Sequence, residues 1–450
     1  MPFIPHTRED VQVMLAEIGA DSIEDLFDEI PAELRAHRLD GVPPGVSEME
    51  MLGLMSARAA VDTTDVCFIG AGCYDHHIPA AVWDLTARGE FMTAYTPYQA
   101  EASQGTLQLI YEYQSMMAAL TGMDVSNASV YDGASGLGEA ALMATRANKK
   151  IKSRTVLVAE TVHPFYREVA QNIARNQGVE FVTIPVAPNG LVDVSVLGEV
   201  GEVIAVVVQQ PNFFGLLENV DAITDWAGER GAFLIAVVNP LSLALLKPPG
   251  DWGSNGADIV CGDGQPLGIP MASGGPSFGF LCCRDKLVRQ MPGRIIGRTE
   301  DLEGRPGFTL TLQAREQHIR RGKATSNICT NQGLLVTAAT IHMSLMGASG
   351  LKQVAERCHT QVKKLVDALV SIPGVEERFS GPFFHERVLN LPRNSKSVVS
   401  MLVERGILGG LALGEHYPGM DDAVLVCATE KRTSGEIERY RSVLQDCLGS

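Results

Sequence analysis

The most constraining feature of this 450-residue sequence is a series of short apolar runs between Thr155 and Cys283. The runs read TVLVAE, FVTIPV, VIAVVVQQ, AFLIAVV, ADIVCG and SFGFLCC, and segments of helix or loop length separate the earlier ones. Strands that are apolar on both faces and alternate with helices are typical of a parallel sheet covered on both sides. The sequence therefore predicts an α/β fold with a mostly parallel sheet.

The segments on either side of these runs have different patterns. From Arg8 to Leu39 the apolar spacing is helical, with a start at Thr7, and GVPPG from Gly41 to Gly45 breaks the pattern. After Asn331 a long Ala- and Leu-rich helical pattern gives way to shorter segments. We expect an N-terminal helical arm at 1–60, a large α/β domain at 61–325 and a small α+β domain at 326–450.

The composition excludes several classes of function. The 37 basic and 53 acidic side chains give a net charge of -16, which disfavours nucleic acid as a partner. There is no basic flank followed by an apolar run at the N-terminus, and no uninterrupted apolar stretch of about 18 residues, so we expect a cytoplasmic protein without a membrane span. Nine scattered cysteines favour reduced, mostly buried thiols.

A glycine-containing segment offers a possible phosphate cradle. It reads DGASGLGEAALMATRA, and Ser135 and Gly136 precede an alanine-rich helical pattern whose first N–H groups would face an anion. The segment lacks a phosphate-loop lysine and the full dinucleotide fingerprint, which disfavours a nucleotide. Tight helix packing explains the same small residues equally well, and both interpretations stay open.

Two polar segments are candidates for a site wall and for an anion contact. The first reads EFMTAYTPYQAEASQG, and its residues either line an active site or anchor an interface. The second reads QAREQHIRRGKATSNICTNQ, and it is either a cationic entrance or an exposed helix face. The wall candidates are Tyr95, Thr96, Tyr98 and Gln104, and the anion or interface candidates are Arg320, Arg321, Lys323, Thr325, Ser326 and Asn327.

A metal site is a weaker interpretation of Asp75, His76 and His77. Adjacent histidines in a strand point to opposite faces, and no third ligand stands at a recognised spacing. We therefore expect no metal site.

The order of these segments along the chain resembles the glycine decarboxylase P-protein family in its short α form. FIPHTREDVQVMLAEIGADSIEDLFDEIP, FIGAGCYDHHIPAAV, NASVYDGASGLGEAALMA and GDGQPLGIPMASGGPSFGFL extend the resemblance over nearly the whole chain. It implies the fold-type-I architecture of pyridoxal phosphate-dependent transferases. It also implies glycine dehydrogenase (decarboxylating) activity within the glycine cleavage system, with transfer of the aminomethyl group to the lipoyl arm of H-protein.

Placed on that architecture, the cofactor site of this chain is degenerate. Ser135 and Gly136 suit the phosphate loop, and His163 suits the position that stacks on the cofactor ring. Asn239 stands where an acid on the pyridine nitrogen is expected, and a neutral amide supports the electron sink poorly. Gln265 takes the lysine position and cannot form an imine. We expect no catalytic residue in this chain alone.

The resemblance implies partners that complete the site. A β subunit would supply the imine lysine and hold pyridoxal 5'-phosphate covalently, in an α2β2 heterotetramer that acts on glycine and lipoylated H-protein. No cofactor would be covalently bound to this chain. Two alternatives are an autonomous pyridoxal phosphate lyase or aminotransferase with an unrecognised lysine, and a scaffold or regulatory pseudoenzyme that does not line the site.

Overall fold

A computed structural model describes residues 5–35, 40–62 and 66–449. The chain divides into two compact units, residues 1–63 and residues 64–450. The described helices are α1 (Arg8–Ile18), α2 (Glu48–Val61), α3 (Ala80–Thr86), α4 (Gln104–Thr121), α5 (Gly133–Ala147), α6 (Pro164–Ala174), α7 (Val220–Glu229), α8 (Gln317–Arg320), α9 (Gly333–Val370), α10 (Ser395–Val403) and α11 (Ser434–Gly449).

The described strands fall into one large sheet and three smaller ones. They are β1 (Val66–Cys67), β2 (Val125–Ser126), β3 (Thr155–Ala159), β4 (Glu180–Ile184), β5 (Ala205–Gln210), β6 (Phe233–Val238), β7 (Ile259–Asp263), β8 (Gly279–Cys283), β9 (Ile295–Glu300), β10 (Pro306–Thr311), β11 (Glu376–Glu377), β12 (Glu386–Asn390), β13 (Ile407–Leu408), β14 (Leu411–Ala412) and β15 (Ala423–Cys427).

The N-terminal unit contains two helices with matching caps. Thr7 and Asp10 form a capping box at α1, and Ser47 and Glu50 form one at α2. Such reciprocal bonds satisfy N–H groups that a helix start leaves free. No residue described within either helix is buried: the apolar side chains of α2 are exposed, and Val11 and Leu15 of α1 are half-buried.

The large sheet confirms the predicted α/β fold. Its seven strands lie in the order β2-β8-β7-β6-β5-β3-β4. The five strands from β3 to β7 pair in parallel, whereas β8 pairs antiparallel with both β7 and β2. Strands β5 and β6 are buried almost throughout, because helices cover both faces of a parallel sheet.

Helix α9 is shared between two hydrophobic cores. Its first half packs in the core of the large sheet, and its second half packs against the four-stranded sheet β11-β12-β15-β14. The helix is kinked at Gly347, where φ is 59°. By length and composition alone α9 would also suit a membrane span, but 56% of its apolar window is buried within the protein, as in core helices of soluble folds. The boundary predicted at 325/326 stays a prediction.

Candidate functional site

A small cavity lies at the carboxyl ends of the parallel strands, which is where open α/β sheets bind ligands. His163, Asn239, Asp263, Tyr74 and Tyr166 are among the residues that line it. Its volume is about 30 Å³. That is about the share of one water molecule, whereas small-molecule sites occupy roughly 300–1,000 Å³. The residues present therefore do not fit a molecule the size of pyridoxal phosphate.

Gly72 and Tyr74 of the loop after β1 line this cavity, and a buried carboxylate holds the loop. Glu386 Oε1 accepts a hydrogen bond from the Ala71 N–H at 2.6 Å, and Oε2 accepts one from the Tyr74 hydroxyl at 2.9 Å. Gly70 is required there, because a Cβ at that position would collide with the Glu386 carboxylate. Burial raises the pKa of Glu386 to about 7, even though both hydrogen bonds favour its charged form.

His163 lies in the cavity wall as a neutral side chain. Burial lowers its pKa to about 4. Its Nδ1 accepts from the Phe165 N–H at 3.2 Å, so Nε2 carries the proton and donates to the Ala71 carbonyl at 2.8 Å. The ring stacks on Tyr166 with centroids 4.7 Å apart. The ring expected to stack on a cofactor is thus bound to the protein's own loop and helix.

The predicted phosphate cradle is satisfied by carboxylates of the protein itself. The Gly133 N–H donates to Asp263 Oδ2 at 3.2 Å, and the Ser135 N–H donates to Asp132 Oδ1 at 2.7 Å. The Gly136 N–H donates to the Asp132 carbonyl at 3.0 Å. Burial raises the pKa of Asp263 to about 6, although hydrogen bonds from Ser277 and from two backbone N–H groups lower it. Of the two interpretations left open, this geometry favours helix packing.

Asn239 and Gln265 both form hydrogen bonds with the surrounding protein. Asn239 Oδ1 accepts from the Leu241 N–H at 3.0 Å, and its Nδ2 lies 3.3 Å from His385 Nε2. Gln265 is 3% exposed. Its Oε1 accepts from the Tyr74 N–H at 2.9 Å, and its Nε2 donates to the carbonyls of Tyr74 and Ile269, each at 2.8 Å. Gln265 therefore fixes the loop that lines the cavity.

The aromatic segment lies at a different cavity of about 280 Å³, which is lined by Tyr95, Pro97 and Arg294 among others. Tyr95 is 89% exposed. The Tyr98 hydroxyl lies 3.0 Å from Arg294 Nη2, and the guanidinium also stands 5.2 Å from the Tyr98 ring centroid. Thr96 is half-buried.

Gln104 connects the aromatic segment to β10. Its amide donates to the carbonyls of Ala100 and Phe308 at 2.7 and 2.8 Å, and its oxygen accepts from the Phe308 N–H at 2.8 Å. The same cavity borders Arg294, which forms a buried ion pair with Glu316 at 3.7 Å. This pair was not predictable from the sequence, because its members are separated by strands β9 and β10.

The basic segment borders two larger cavities. Arg320, Lys323 and Thr325 line one of about 350 Å³. A second, of about 620 Å³, is lined by Arg146, Lys149 and Arg154 together with four of the predicted residues, which are Arg321, Thr325, Ser326 and Asn327. The Ser326 hydroxyl is already used, since it donates to Glu139 at 2.7 Å.

The structure thus separates the predicted residues into three places within one chain. The small cavity at the strand ends, the cavity beside the aromatic segment and the two cavities beside the basic segment have different linings. Asp263 and Glu386 are the residues that sequence reasoning missed. Asp263 stands in the quoted string ADIVCGDG at a strand end, a common place for site residues, whereas nothing in the sequence connects Glu386 with a loop more than 300 residues away.

Comparisons with known proteins agree along the whole chain. The family model described as glycine cleavage system P-protein matches residues 1–444. A relative from Nitrosospira multiformis, named probable glycine dehydrogenase (decarboxylating) subunit 1, is 61% identical and is matched over 100% of this chain and 99% of its own length.

Two solved structures extend the comparison to the fold. One is the glycine decarboxylase (P-protein) of the glycine cleavage system in inhibitor-bound form, with a TM-score of 0.91, 43% identity and full coverage of both chains. The other is the glutamate decarboxylase of Lactobacillus brevis, with a TM-score of 0.67 and 11% identity over 93% of this chain and 96% of its own. The second match shows the fold alone, and together they confirm the predicted fold-type-I architecture.

Proposed function

Since the chain belongs to the glycine cleavage system P-protein family, we propose that it is the α half of a two-subunit glycine dehydrogenase (decarboxylating). A β subunit supplies the imine lysine and holds pyridoxal 5'-phosphate, and the complex acts on glycine and on the lipoyl arm of H-protein in the cytoplasm. One observation supports the division of labour: the cavity of this chain at the cofactor position is only about 30 Å³, and Gly72 and Tyr74 of its own loop form part of the wall.

The exposed apolar surface of the N-terminal unit supports a partner subunit. Helix α2 exposes several large apolar side chains, which are Met49, Met51, Leu52, Leu54, Met55 and Val61. Exposed apolar surface of this kind is typical of protein interfaces. An α2β2 heterotetramer would cover it by symmetric association.

The proposal gives the chain a supporting role in the chemistry. Pyridoxal phosphate, bound by the β subunit, supplies the electron sink for decarboxylation. The present chain contributes the aromatic segment as a wall and the basic segment as an anion or subunit contact. Co-purification of the two chains, with glycine–CO2 exchange that requires both, tests the proposal. Exchange by the β subunit alone at the full rate would favour the scaffold alternative.

Replacing Tyr98 by Phe tests the proposed wall. The change keeps the ring and removes the hydroxyl that contacts Arg294 at 3.0 Å. A hydrogen bond to a charged group contributes about 1.5–3 kcal/mol, so we expect glycine–CO2 exchange in the complex to fall roughly tenfold to hundredfold with subunit association intact. Gln104→Ala, which leaves the Phe308 N–H without its acceptor, should also slow exchange.

Tyr111→Phe is the matched control, because Tyr111 packs on Phe308 from helix α4 and is not a wall candidate. It should exchange at the wild-type rate. Unchanged kinetics in both Tyr98→Phe and Gln104→Ala would remove the aromatic segment from the site.

Neutralising Arg321 and Lys323 tests the basic segment. Both side chains are exposed, so their attraction to an acidic partner is screened by salt. Each exposed charge contributes about 0.2–1 kcal/mol, up to roughly fivefold in affinity. Arg321→Gln/Lys323→Gln should therefore weaken binding of H-protein or of the β subunit at low salt and much less at high salt, as measured by titration. Lys363→Gln, at an exposed position of α9, is the control; a salt-independent defect would indicate misfolding instead.

A further inference from the structure

A cluster of His76, Cys358 and Glu430 lies outside the lining of the small cavity at the strand ends. His76 comes from the loop after β1, Cys358 from the second half of α9, and Glu430 from the connection between β15 and α11. His76 Nδ1 lies 2.8 Å from Glu430 Oε2, and the Cys358 thiol donates to the same oxygen at 3.2 Å. The three side chains present ligand atoms that all lie within 4.8 Å of one another.

Hydrogen bonding explains only part of this cluster. The side chains of His76 and Glu430 are 6% and 10% exposed, and Cys358 is fully buried. His76 Nε2 is buried without a hydrogen-bond partner among the described residues, and so is Nδ1 of nearby His342. Buried polar atoms without partners are rare in folded proteins, so hydrogen bonds within the protein do not complete the surroundings of His76.

We propose that His76, Cys358 and Glu430 bind a divalent cation of the zinc class, with a solvent molecule as the fourth ligand. Imidazole, thiolate and carboxylate are the donors that Zn²⁺ takes in proteins. Ligand distances of about 2.0 Å to nitrogen or oxygen and about 2.3 Å to sulfur place tetrahedral donors roughly 3.3–3.6 Å apart. The separations of 2.8 and 3.2 Å to Glu430 therefore need to widen by less than about 1 Å, and the remaining separation, between His76 and Cys358, lies within 4.8 Å and needs to narrow by up to about 1.5 Å. Side-chain rotation provides such shifts.

The surroundings of Glu430 orient it for this role. Its other oxygen, Oε1, accepts from the His77 backbone N–H, which turns Oε2 towards His76 and Cys358. Binding of the cation releases the Cys358 thiol proton to solvent, and the hydrogen that His76 Nδ1 directs at Glu430 moves to Nε2, which leaves Nδ1 free to act as a ligand. Metal ligands are usually fixed by such second hydrogen bonds.

An open cleft gives the cluster access to solvent. The cleft has a volume of about 640 Å³, and Glu430 forms part of its wall. Four basic residues also border it, which are Arg357, Lys364, Lys431 and Arg432, together with the carboxylate of Glu356. Lys431 and Arg432 form ion pairs with Asp75, which reduces their repulsion of a cation. A bound cation would connect the loop after β1 to α9 and to the segment after β15. This inference does not depend on the proposed function.

Metal titration of the untagged full-length chain, first stripped with a chelator, tests the site. We expect one equivalent of Co²⁺ to bind with a thiolate-to-cobalt absorption band, and Zn²⁺ to displace it. Cys358→Ser should abolish the band, and both it and His76→Asn should weaken affinity by at least the 10- to 100-fold that loss of an outer partner causes. Cys67→Ser and His77→Asn are the controls, because the Cys67 thiol donates to the Ile69 carbonyl at 3.9 Å, the His77 side chain is exposed, and neither belongs to the cluster. Both should bind like the wild type.

X-ray absorption of the zinc-loaded wild-type chain keeps the test independent of how the variants fold. One sulfur and three nitrogen or oxygen ligands are expected. The absence of stoichiometric Co²⁺ binding by the wild type, a thiolate band that survives in folded Cys358→Ser, or a zinc shell without sulfur would each overturn the proposal.

Discussion

The isolated chain carrying Gln265→Lys is expected to form no internal aldimine with pyridoxal phosphate and to release no CO2 from glycine. Gln265 is 3% exposed, and replacing it by lysine would remove its three hydrogen bonds with the backbone of Tyr74 and Ile269. It would face a cavity of about 30 Å³. The electrostatic surroundings are also wrong, since Asn239 is neutral and Asp263 takes the Gly133 N–H that a phosphate would need.

Enzymes accelerate reactions roughly 10⁶-fold or more over the uncatalysed rate. We therefore expect such acceleration of glycine decarboxylation only when the β subunit is present with its own lysine. Borohydride reduction followed by peptide mapping measures the outcome directly. In the mixed complex the reduced cofactor should map to a β-subunit peptide, with wild-type α chain or with the variant. A reduced adduct on the wild-type chain alone would establish the autonomous-enzyme alternative, and an adduct at position 265 of the variant would show that the cavity opens to admit the cofactor.

The parallel sheet was predictable because its central strands are apolar on both faces. The runs that became β5 and β6 are continuous in apolar residues, and that pattern requires cover on both sides. The three-domain division is harder to read, since α9 contributes to two cores and no composition change marks where one core ends.

The site at the strand ends was predictable only in part. The substitutions at Asn239 and Gln265 are visible in the sequence, but what replaces the cofactor is not. Asp263 contacts Gly133 across 130 residues, and Glu386 contacts Ala71 across 315. Spacing rules describe ligands on one local element, and for that reason they also missed Cys358 and Glu430 beside His76.

Glu386→Gln is expected to stabilise the chain relative to the wild type as the pH rises. Burial raises the pKa of Glu386 to about 7, against an ordinary value of 4.5. The folded chain therefore binds more protons here than the unfolded chain at intermediate pH, and the wild type loses stability as the pH rises from about 4.5 through about 7. The total loss is about 3 kcal/mol at 1.36 kcal/mol per pKa unit. Glutamine keeps an acceptor for the Ala71 N–H and stays neutral at every pH.

Chemical denaturation of both proteins at about pH 5.5 and about pH 8.5 measures the effect. The free energy of unfolding of Glu386→Gln minus that of the wild type should be about 2 kcal/mol larger at the higher pH. Other titrating groups, including His163 with its lowered pKa, are common to both proteins and cancel in the difference. His385, whose Nδ1 lies 4.0 Å from Glu386 Oε2, has a pKa well below its ordinary value because it is buried, so it remains neutral across this range. Glu229→Gln, at an exposed position of α7, is the matched control. A difference that does not change with pH would mean that Glu386 is charged in the folded chain, and the loop from Gly70 to Tyr74 would then be held by a carboxylate whose charge its two hydrogen bonds stabilise.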